Sequence, residues 1–188
     1  MSKYRFDKIS EDAFNELQVE AGIVLSSFNP ASPEVADSAI ITATTGGITA
    51  SCTPTFSDWG EDVDNVPLNM MEFKRIDSYE CTLAFTALSV TENLIKLGVG
   101  AADIASNKIT PRSELATTDF TEIWWVGDLS DGGFVAVKLS NALSTGGFSI
   151  QSGKNAKGQY SVTLTGHVSI DAQDEVPMEF YIGAPVSG

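Results

Sequence analysis

Residues 160–170 alternate between apolar and small polar side chains, and this alternation constrains the fold more than any other feature of the chain. A two-residue period places successive side chains on opposite faces of a β-strand. The apolar set, broken only at Gly166, consists of Tyr160, Val162, Leu164, Val168 and Ile170. The polar set consists of Ser161, Thr163, Thr165, His167 and Ser169. The pattern therefore predicts a strand that covers a core with one face and meets water or another subunit with the other.

The charge of the chain argues against two classes of partner. Its 188 residues include 25 Asp and Glu against 11 Lys and Arg, a net charge of −14. No Lys or Arg lies between Lys8 and Lys74, a stretch rich in Asp and Glu. Because Lys and Arg supply the contacts to phosphates and to anionic lipids, we expect neither specific nucleic-acid binding nor membrane docking. A solvated acidic surface is one interpretation, and a surface that repels a polyanion is the other.

Targeting signals are also missing from the sequence. The first ten residues lack the apolar segment of a signal peptide, and no run of about 18 apolar residues could form a membrane-spanning helix. We therefore expect a soluble protein that is made in a cytosol.

Short predicted strands separated by Gly- and Pro-rich turns dominate the chain. Gly46-Gly47 predicts a turn between two strands, and residues 130–133 carry an Asp-Gly hairpin signal. One helix is expected to begin with Thr91 as its N-cap and to end at Gly98. The pattern predicts a mainly β fold, a two-sheet β-sandwich or barrel with one short flanking α-helix and a long inter-strand loop over residues 57–69.

The length fits one domain with short arms. We expect an N-terminal arm over residues 1–17, a single β-sandwich or barrel domain over residues 18–183, and a C-terminal tail over residues 184–188. Separate strands are expected over residues 70–76 and 78–89.

Signatures of catalysis and of metal binding are missing. His167 is the one histidine, and a histidine bonded to a neighbour on the sheet face is favoured over a general base. Cys52 and Cys81 lack metal-site spacing and fall on expected inward faces, which predicts buried free thiols. The acidic loop after Asp58 fails the ligand spacing of a calcium-binding EF-hand. We expect no enzyme, no cofactor and no metal.

The Trp124-Trp125 pair places one ring on each face of its predicted strand. One ring belongs in the core. The other is expected to be exposed, under a helix or in an interface, where it would suit sugar binding or a protein contact.

Several ordered blocks of sequence cover roughly residues 15–182 and comprise residues 43–48, 54–62, 74–75, 124–128, 141–148, 157–159, 165–167, 170–174 and 176–177. Taken together, these blocks resemble the major tail protein of long-tailed bacteriophages of Gram-positive hosts. The resemblance implies a structural virion protein of the tail tube, assembled in the host cytoplasm. Such subunits form rings, usually hexameric, that stack into a hollow tube around the tape measure protein. The expected partners are further copies of the chain, the tape measure protein, and the tail tip and tail terminator proteins.

The resemblance also implies a negatively charged conduit through which DNA passes without specific binding during ejection. Long loops bridge stacked rings in this family, so the candidate inter-ring contact comprises Asp58, Trp59, Glu61, Asp62 and Asp64. The candidate basic partners of these carboxylates are Lys74, Arg75, Lys154 and Lys157. The candidate lumen-facing strand presents Ser161, Thr163, Thr165 and His167, and the alternative is that this face is the outer surface.

The chief alternative is a β-sandwich module of a phage that binds carbohydrate or a cell surface through an exposed tryptophan. A head decoration or tail terminator protein is a third candidate, which would form rings or trimers without long tubes. A hydrolase ranks last because the sequence shows no nucleophile–base pair.

Overall fold

The computed structural model describes residues 19–151 and 158–184. Its strands are β1 (Val19–Leu25), β2 (Ile40–Asp58), β3 (Lys74–Ala87), β4 (Ala102–Ala105), β5 (Lys108–Pro111), β6 (Thr121–Leu129), β7 (Phe134–Ser144), β8 (Ser149–Gln151), β9 (Gln159–Gly166) and β10 (Met178–Gly183). Helix α1 spans Glu92–Val99. The expected N-terminal arm, the end of the C-terminal tail from residue 185, Lys154 and Lys157 lie outside the described residues.

Eight of these strands form one antiparallel sheet that folds back on itself. Their order is β10-β7-β6-β1-β2-β3-β9-β8, and β7 also pairs with β9. The β1–β2 and β7–β9 joints contain three residue pairs each, so the sheet is two four-stranded layers with narrow joints. We call β10, β7, β6 and β1 the tryptophan layer, and β2, β3, β9 and β8 the hydroxyl layer. The predicted mainly β sandwich or barrel with one short helix is confirmed.

The core lies between the two layers. Each layer contributes alternate side chains, as the two-residue period of a half-buried strand requires. The fully or nearly fully buried members include Val24, Leu83, Phe85, Ile123, Trp125, Leu139, Val162 and Leu164. Burying a large aliphatic or aromatic side chain of this kind stabilises a fold by about 1.5–3 kcal/mol.

The predicted strand over residues 160–170 is correct in its first part and too long. Val162 and Leu164 are buried and the polar side chains between them face outward, as predicted. The strand ends at Gly166, where Leu139 and Pro177 leave no room for a side chain. Val168 and Ile170 are consequently exposed, and His167 lies beyond the strand rather than on its polar face.

Gly46 and Gly47 bend one long strand, so the predicted turn between two strands is wrong. Both glycines have positive φ, and the β2–β3 register shifts across them. Such a conformation is open to glycine and creates a β-bulge. The two strands expected over residues 70–76 and 78–89 are likewise one strand, β3, preceded by a 3₁₀ turn at Met71–Phe73.

The β2–β3 hairpin extends past its neighbours. β9 pairs only with residues 82–87 of β3, and β1 pairs only with residues 40–43 of β2. We call residues 48–52 and 81–87 the barrel half of the hairpin, and residues 53–58 and 74–80 its projecting half. Pro54 lies in the projecting half, where β2 pairs only with β3 among the described residues, a position that suits a residue without a backbone N–H.

Helix α1 begins as predicted. Thr91 accepts a hydrogen bond from the Leu94 backbone N–H at 3.2 Å, the geometry of an N-cap. The helix continues through Gly98, which packs against Phe148, and stops before Gly100 at φ 88°. The predicted end at Gly98 is therefore one residue early, and the β4–β5 hairpin after the helix was not predicted.

The Asp-Gly signal at residues 130–133 does form the β6–β7 turn. Of the two adjacent tryptophans, Trp125 lies in the core between the layers. Trp124 lies on the outer face of the tryptophan layer, where Phe28 and Tyr181 cover it. Both rings are about nine-tenths or more buried, so neither offers an open platform.

Candidate functional site

The tip of the hairpin is organised by one carboxylate. Asp58 accepts hydrogen bonds from the backbone N–H groups of Gly60 and Asn69 at 3.0 and 2.9 Å, and its carboxylate lies 3.7 Å from the Lys74 ammonium. The two backbone hydrogen bonds, and secondarily Lys74, lower the pKa of Asp58 below its ordinary value. Two of the predicted inter-ring residues, Asp58 and Lys74, therefore meet within one chain.

Trp59 and Arg75 form a second internal contact at the tip. The Arg75 guanidinium lies 4.5 Å from the centre of the Trp59 ring, within cation–π distance. The Trp59 backbone N–H donates to the Phe73 carbonyl at 3.1 Å, which ties the two sides of the loop together. The ring is nevertheless 64% exposed, so one face is free for a further contact.

The other predicted acids of the loop point into solvent. Glu61, Asp62 and Asp64 are all exposed on the turn that leads away from Trp59. Together with the exposed Glu72 of the turn before β3, these three carboxylates supply outward-facing negative charge at the tip.

The projecting half also carries apolar side chains that sequence analysis did not single out. Phe56 lies on the same side of β2 as the core-facing Cys52, and it pairs with Ile76 of β3. Their side chains are 55% and 51% exposed because neither β1 nor β9 reaches them. Apolar side chains on a preformed, uncovered sheet face are typical of an interaction surface. The sequence contains a signal for this surface, because the alternation of strand β2 continues from Cys52 to Phe56.

The predicted lumen-facing strand belongs to a broader surface, which we call the hydroxyl face. It is the outer face of the hydroxyl layer, and its Ser and Thr residues lie in register across three strands. Its members are Thr49, Ser51, Thr53, Thr82, Thr86, Ser161, Thr163 and Thr165. Direct rows such as Ser51–Thr82–Thr165 show that folding gathers polar positions that are far apart in sequence.

The hydroxyl face is nearly neutral. Within residues 49–53, 80–86 and 161–165, Glu80 is the one carboxylate at an outward position, and no Lys or Arg occupies those positions. Farther along the hairpin, Arg75 lies opposite Ser57, and the Ser57 hydroxyl donates to Asp77 at 2.8 Å. Ser161, Thr163 and Thr165 lie on this face as predicted. A surface of small hydroxyls without cations offers a passing polyanion no site at which to bind.

His167 does not lie on the hydroxyl face. Its Nδ1 lies 3.2 Å from the Asn141 carbonyl oxygen, and the Asn141 side-chain amide donates to the His167 carbonyl at 3.0 Å. The imidazole also packs edge-on against Phe120. These contacts match the expectation of a histidine bonded to a neighbour.

The outer face of the tryptophan layer differs in chemistry. Lys138 lies 3.4 Å from both Glu122 and Glu179, whose charges raise its pKa against the opposing effect of burial. The Trp124 indole N–H donates to Glu122 at 2.7 Å. The Tyr181 hydroxyl donates to Glu179, which, with the charge of Lys138, lowers the pKa of Glu179. Three charged groups of this face, Glu122, Lys138 and Glu179, thus pair with one another.

The two ends of the sheet order present strand edges. Within the described residues, β10 pairs only with β7, and β8 pairs only with β9. Phe180 and Ile182 on β10 and Ile150 on β8 are exposed apolar residues at these edges. Unpaired edges of this type template pairing with another chain.

A cleft of about 480 Å³ lies between α1 and the sheet. Its buried carboxylate, Asp119, is held by Arg112 at 2.6 Å and by the Ala116 backbone N–H at 2.9 Å. Within residues 19–151 and 158–184, no cluster of three or more His, Cys, Asp or Glu side chains is arranged to hold a metal ion. No helix in that part of the chain is long and apolar enough to cross a membrane.

Comparisons with known proteins identify no family for this chain. No protein-family model matches the chain, and no curated protein matches it.

Proposed function

We propose that this chain is a structural subunit of a bacteriophage tail tube, without enzymatic activity, whose rings stack through the projecting half of the hairpin. The observation that carries the proposal is the structured but uncovered tip. Asp58 holds the loop in shape from within, while Trp59, Phe56 and Ile76 are left exposed. Docking such a surface onto a second copy costs little conformational entropy, because the surface is already ordered.

Within a ring, neighbouring copies would join through the β10 and β8 edges. These are different surfaces, so the contact is heterologous, and a heterologous contact closes into a ring when its rotation permits. Pairing would remove both exposed edges and cover Phe180, Ile182 and Ile150. Phe180→Asp should then give monomers in sedimentation velocity. If that variant still formed rings, the contact between neighbouring copies would lie on a different surface.

The hydroxyl face is the proposed lining of the channel. Its near neutrality refines the expectation of a negatively charged conduit, because the acids lie chiefly on other surfaces of the subunit. Six copies at −14 each carry −84 formal charges in total, so a ring as a whole repels DNA while its hydroxyl lining offers no ionic contact. DNA and the tape measure protein would then move along the channel without binding.

Negative-stain electron microscopy of the purified full chain, alone and with tail tip and tape measure proteins, tests the proposal. Stacked rings or hollow tubes are expected, and Phe56→Ser with Ile76→Ser should yield rings that do not stack. Ile170→Ser is the control, because Ile170 is also apolar and, at 81%, more exposed than Phe56 or Ile76, but lies outside the hairpin. Monomers in every mixture would overturn the proposal.

The lining is tested separately with Thr163→Lys plus Thr165→Lys. Tubes should still assemble, since both side chains face outward, but DNA ejection and infectivity should fall because the cations bind phosphates. Thr163→Gln plus Thr165→Gln controls for side-chain size. Normal infectivity of assembled lysine tails would assign the channel to another face.

The carbohydrate-binding alternative depends on Trp59, since Trp124 and Trp125 are buried. It predicts a saturable change in tryptophan fluorescence when cell-wall polysaccharide is added, and loss of that change in Trp59→Leu. The tail-tube proposal predicts no such change. A titration that saturates would favour the alternative.

A further inference from the structure

Cys52 and Cys81 face each other where the barrel half of the hairpin becomes its projecting half. They are direct register partners on β2 and β3, and their Sγ atoms lie 3.2 Å apart. Directly opposed residues of an antiparallel pair have Cα atoms about 4.5–5.5 Å apart, inside the span of about 4.4–6.8 Å that disulfides bridge. A small movement of the two side chains is therefore enough to bring the sulfurs into bonding distance.

We propose that Cys52 and Cys81 form an intramolecular disulfide when the folded protein meets a peroxide, and that the bond locks β2 to β3 at the root of the projecting half. The chemistry depends only on the two thiols and holds whether or not the chain assembles into a tube.

The two thiols have different access to an oxidant. Cys81 has no exposed surface, and burial raises its pKa to about 12, with a further contribution from the neighbouring Cys52. A thiol in that environment is protonated and unreactive toward a dissolved peroxide. Cys52 is half-buried on a β2 segment that pairs with β3 alone among the described strands, so it is the thiol that an oxidant reaches first.

The reaction takes place in two steps. The Cys52 thiolate attacks hydrogen peroxide, so an S–O bond forms, the O–O bond breaks, and hydroxide leaves as water with the proton that Cys52 gave up. The Cys81 sulfur then attacks the Cys52 sulfenic acid, so the S–S bond forms and the S–O bond breaks. The released hydroxide takes the Cys81 proton and leaves as a second water. In total, two thiols lose two electrons and one peroxide becomes two waters.

The position of the pair gives the bond its effect. The cysteines lie 29 residues apart along the chain, and the whole projecting half and its loop lie between them. A cross-link that closes such a loop restricts the unfolded chain and raises the temperature of unfolding. It also prevents the two strands from separating at the root of the projecting half.

The test treats the full-length protein with hydrogen peroxide, unfolds it, labels free thiols with N-ethylmaleimide and measures intact mass. Before treatment, two maleimide adducts are expected. After treatment, the protein should carry no maleimide adduct, and its mass should be two hydrogens lower than that of the untreated, unlabelled protein. Peptide mapping should show Cys52 joined to Cys81. The unfolding midpoint should rise and return to its starting value when a phosphine reductant is added.

Cys52→Ser is the matched control because it removes the accessible thiol and keeps the buried one. It should retain one maleimide adduct after peroxide treatment, and its unfolding midpoint should not rise. Wild-type protein that keeps both adducts would overturn the proposal, as would disulfide-linked dimers on a non-reducing gel in place of the internal bond. Sulfinic acid at Cys52 without loss of the Cys81 thiol would overturn it as well.

Discussion

The two halves of the β2–β3 hairpin share one pair of strands, yet their apolar side chains meet opposite surroundings. In the barrel half, Leu83 and Phe85 are buried. In the projecting half, Phe56 and Ile76 lie on the same inner side but are about half exposed. The difference comes from the neighbouring strands, because β1 and β9 end before the projecting half begins. An apolar face on a strand is therefore not by itself a core, since it needs another layer to cover it.

The largest expected effect is the difference in the free energy of unfolding that is lost when an apolar side chain is truncated in each half. Leu83→Ala should lower the free energy of unfolding by about 2–5 kcal/mol, because it removes buried methyl groups and leaves a cavity. Ile76→Ala, a matched aliphatic truncation on the adjoining half, should change it by less than about 1 kcal/mol. Urea denaturation measures both. Equal losses would mean that the projecting half is covered in the monomer.

The next effect concerns the order of the tip. Asp58→Ala should release the Gly60 and Asn69 amides from their acceptor, so their hydrogen exchange should become fast while that of the barrel half is unchanged. Asp62→Ala, which removes an exposed carboxylate from the same loop, is the control and should leave both amides protected. Protection that survives in Asp58→Ala would show that Asp58 does not organise the tip.

A smaller effect is expected on acidification. Because hydrogen bonds from two amides and the charge of Lys74 lower the folded-state pKa of Asp58, its stabilising contribution is fully present above the ordinary value of 3.8. It is lost as the pH falls through the lower folded-state value. The amide proton shifts of Gly60 and Asn69 should titrate together below pH 3.8, and Asp58→Asn should abolish the titration. A midpoint at or above the ordinary value would contradict the geometry.

The smallest effect is the cation–π contact that steadies Trp59. A double-mutant cycle with Arg75→Ala and Trp59→Leu should give a coupling of about 0.5–1 kcal/mol, the range for exposed pairs. Arg75→Lys should retain part of the coupling, because an ammonium also interacts with the ring. A coupling of zero would mean that Trp59 is free to turn in the unassembled chain.

Local features of the fold could be predicted where one short segment contains the whole signal. The alternation at residues 160–164 set the faces of β9, Thr91 set the start of α1, and the Asp-Gly pair set the β6–β7 turn. Each depends on neighbours within a few residues. The same logic failed at Gly46-Gly47, because a glycine pair suits a bulge as well as a turn and the choice depends on the partner strand.

The candidate site was predictable only in part. The acidic loop and the polar residues of β9 were found from their own sequence. The internal use of Asp58, Lys74 and Arg75 could not be found that way, because it depends on how the loop closes. The cover over Trp124 was also not predictable, since Phe28 lies almost one hundred residues away.

The sequence by itself determined that this protein is mainly β, where its short helix begins and which side chains share a face, because backbone periodicity is a local property. Only the tertiary structure decided which of those faces are covered. Strand order and register are set by pairings between distant segments, and these pairings buried Leu83, exposed Phe56, assembled the hydroxyl face and placed Cys52 opposite Cys81.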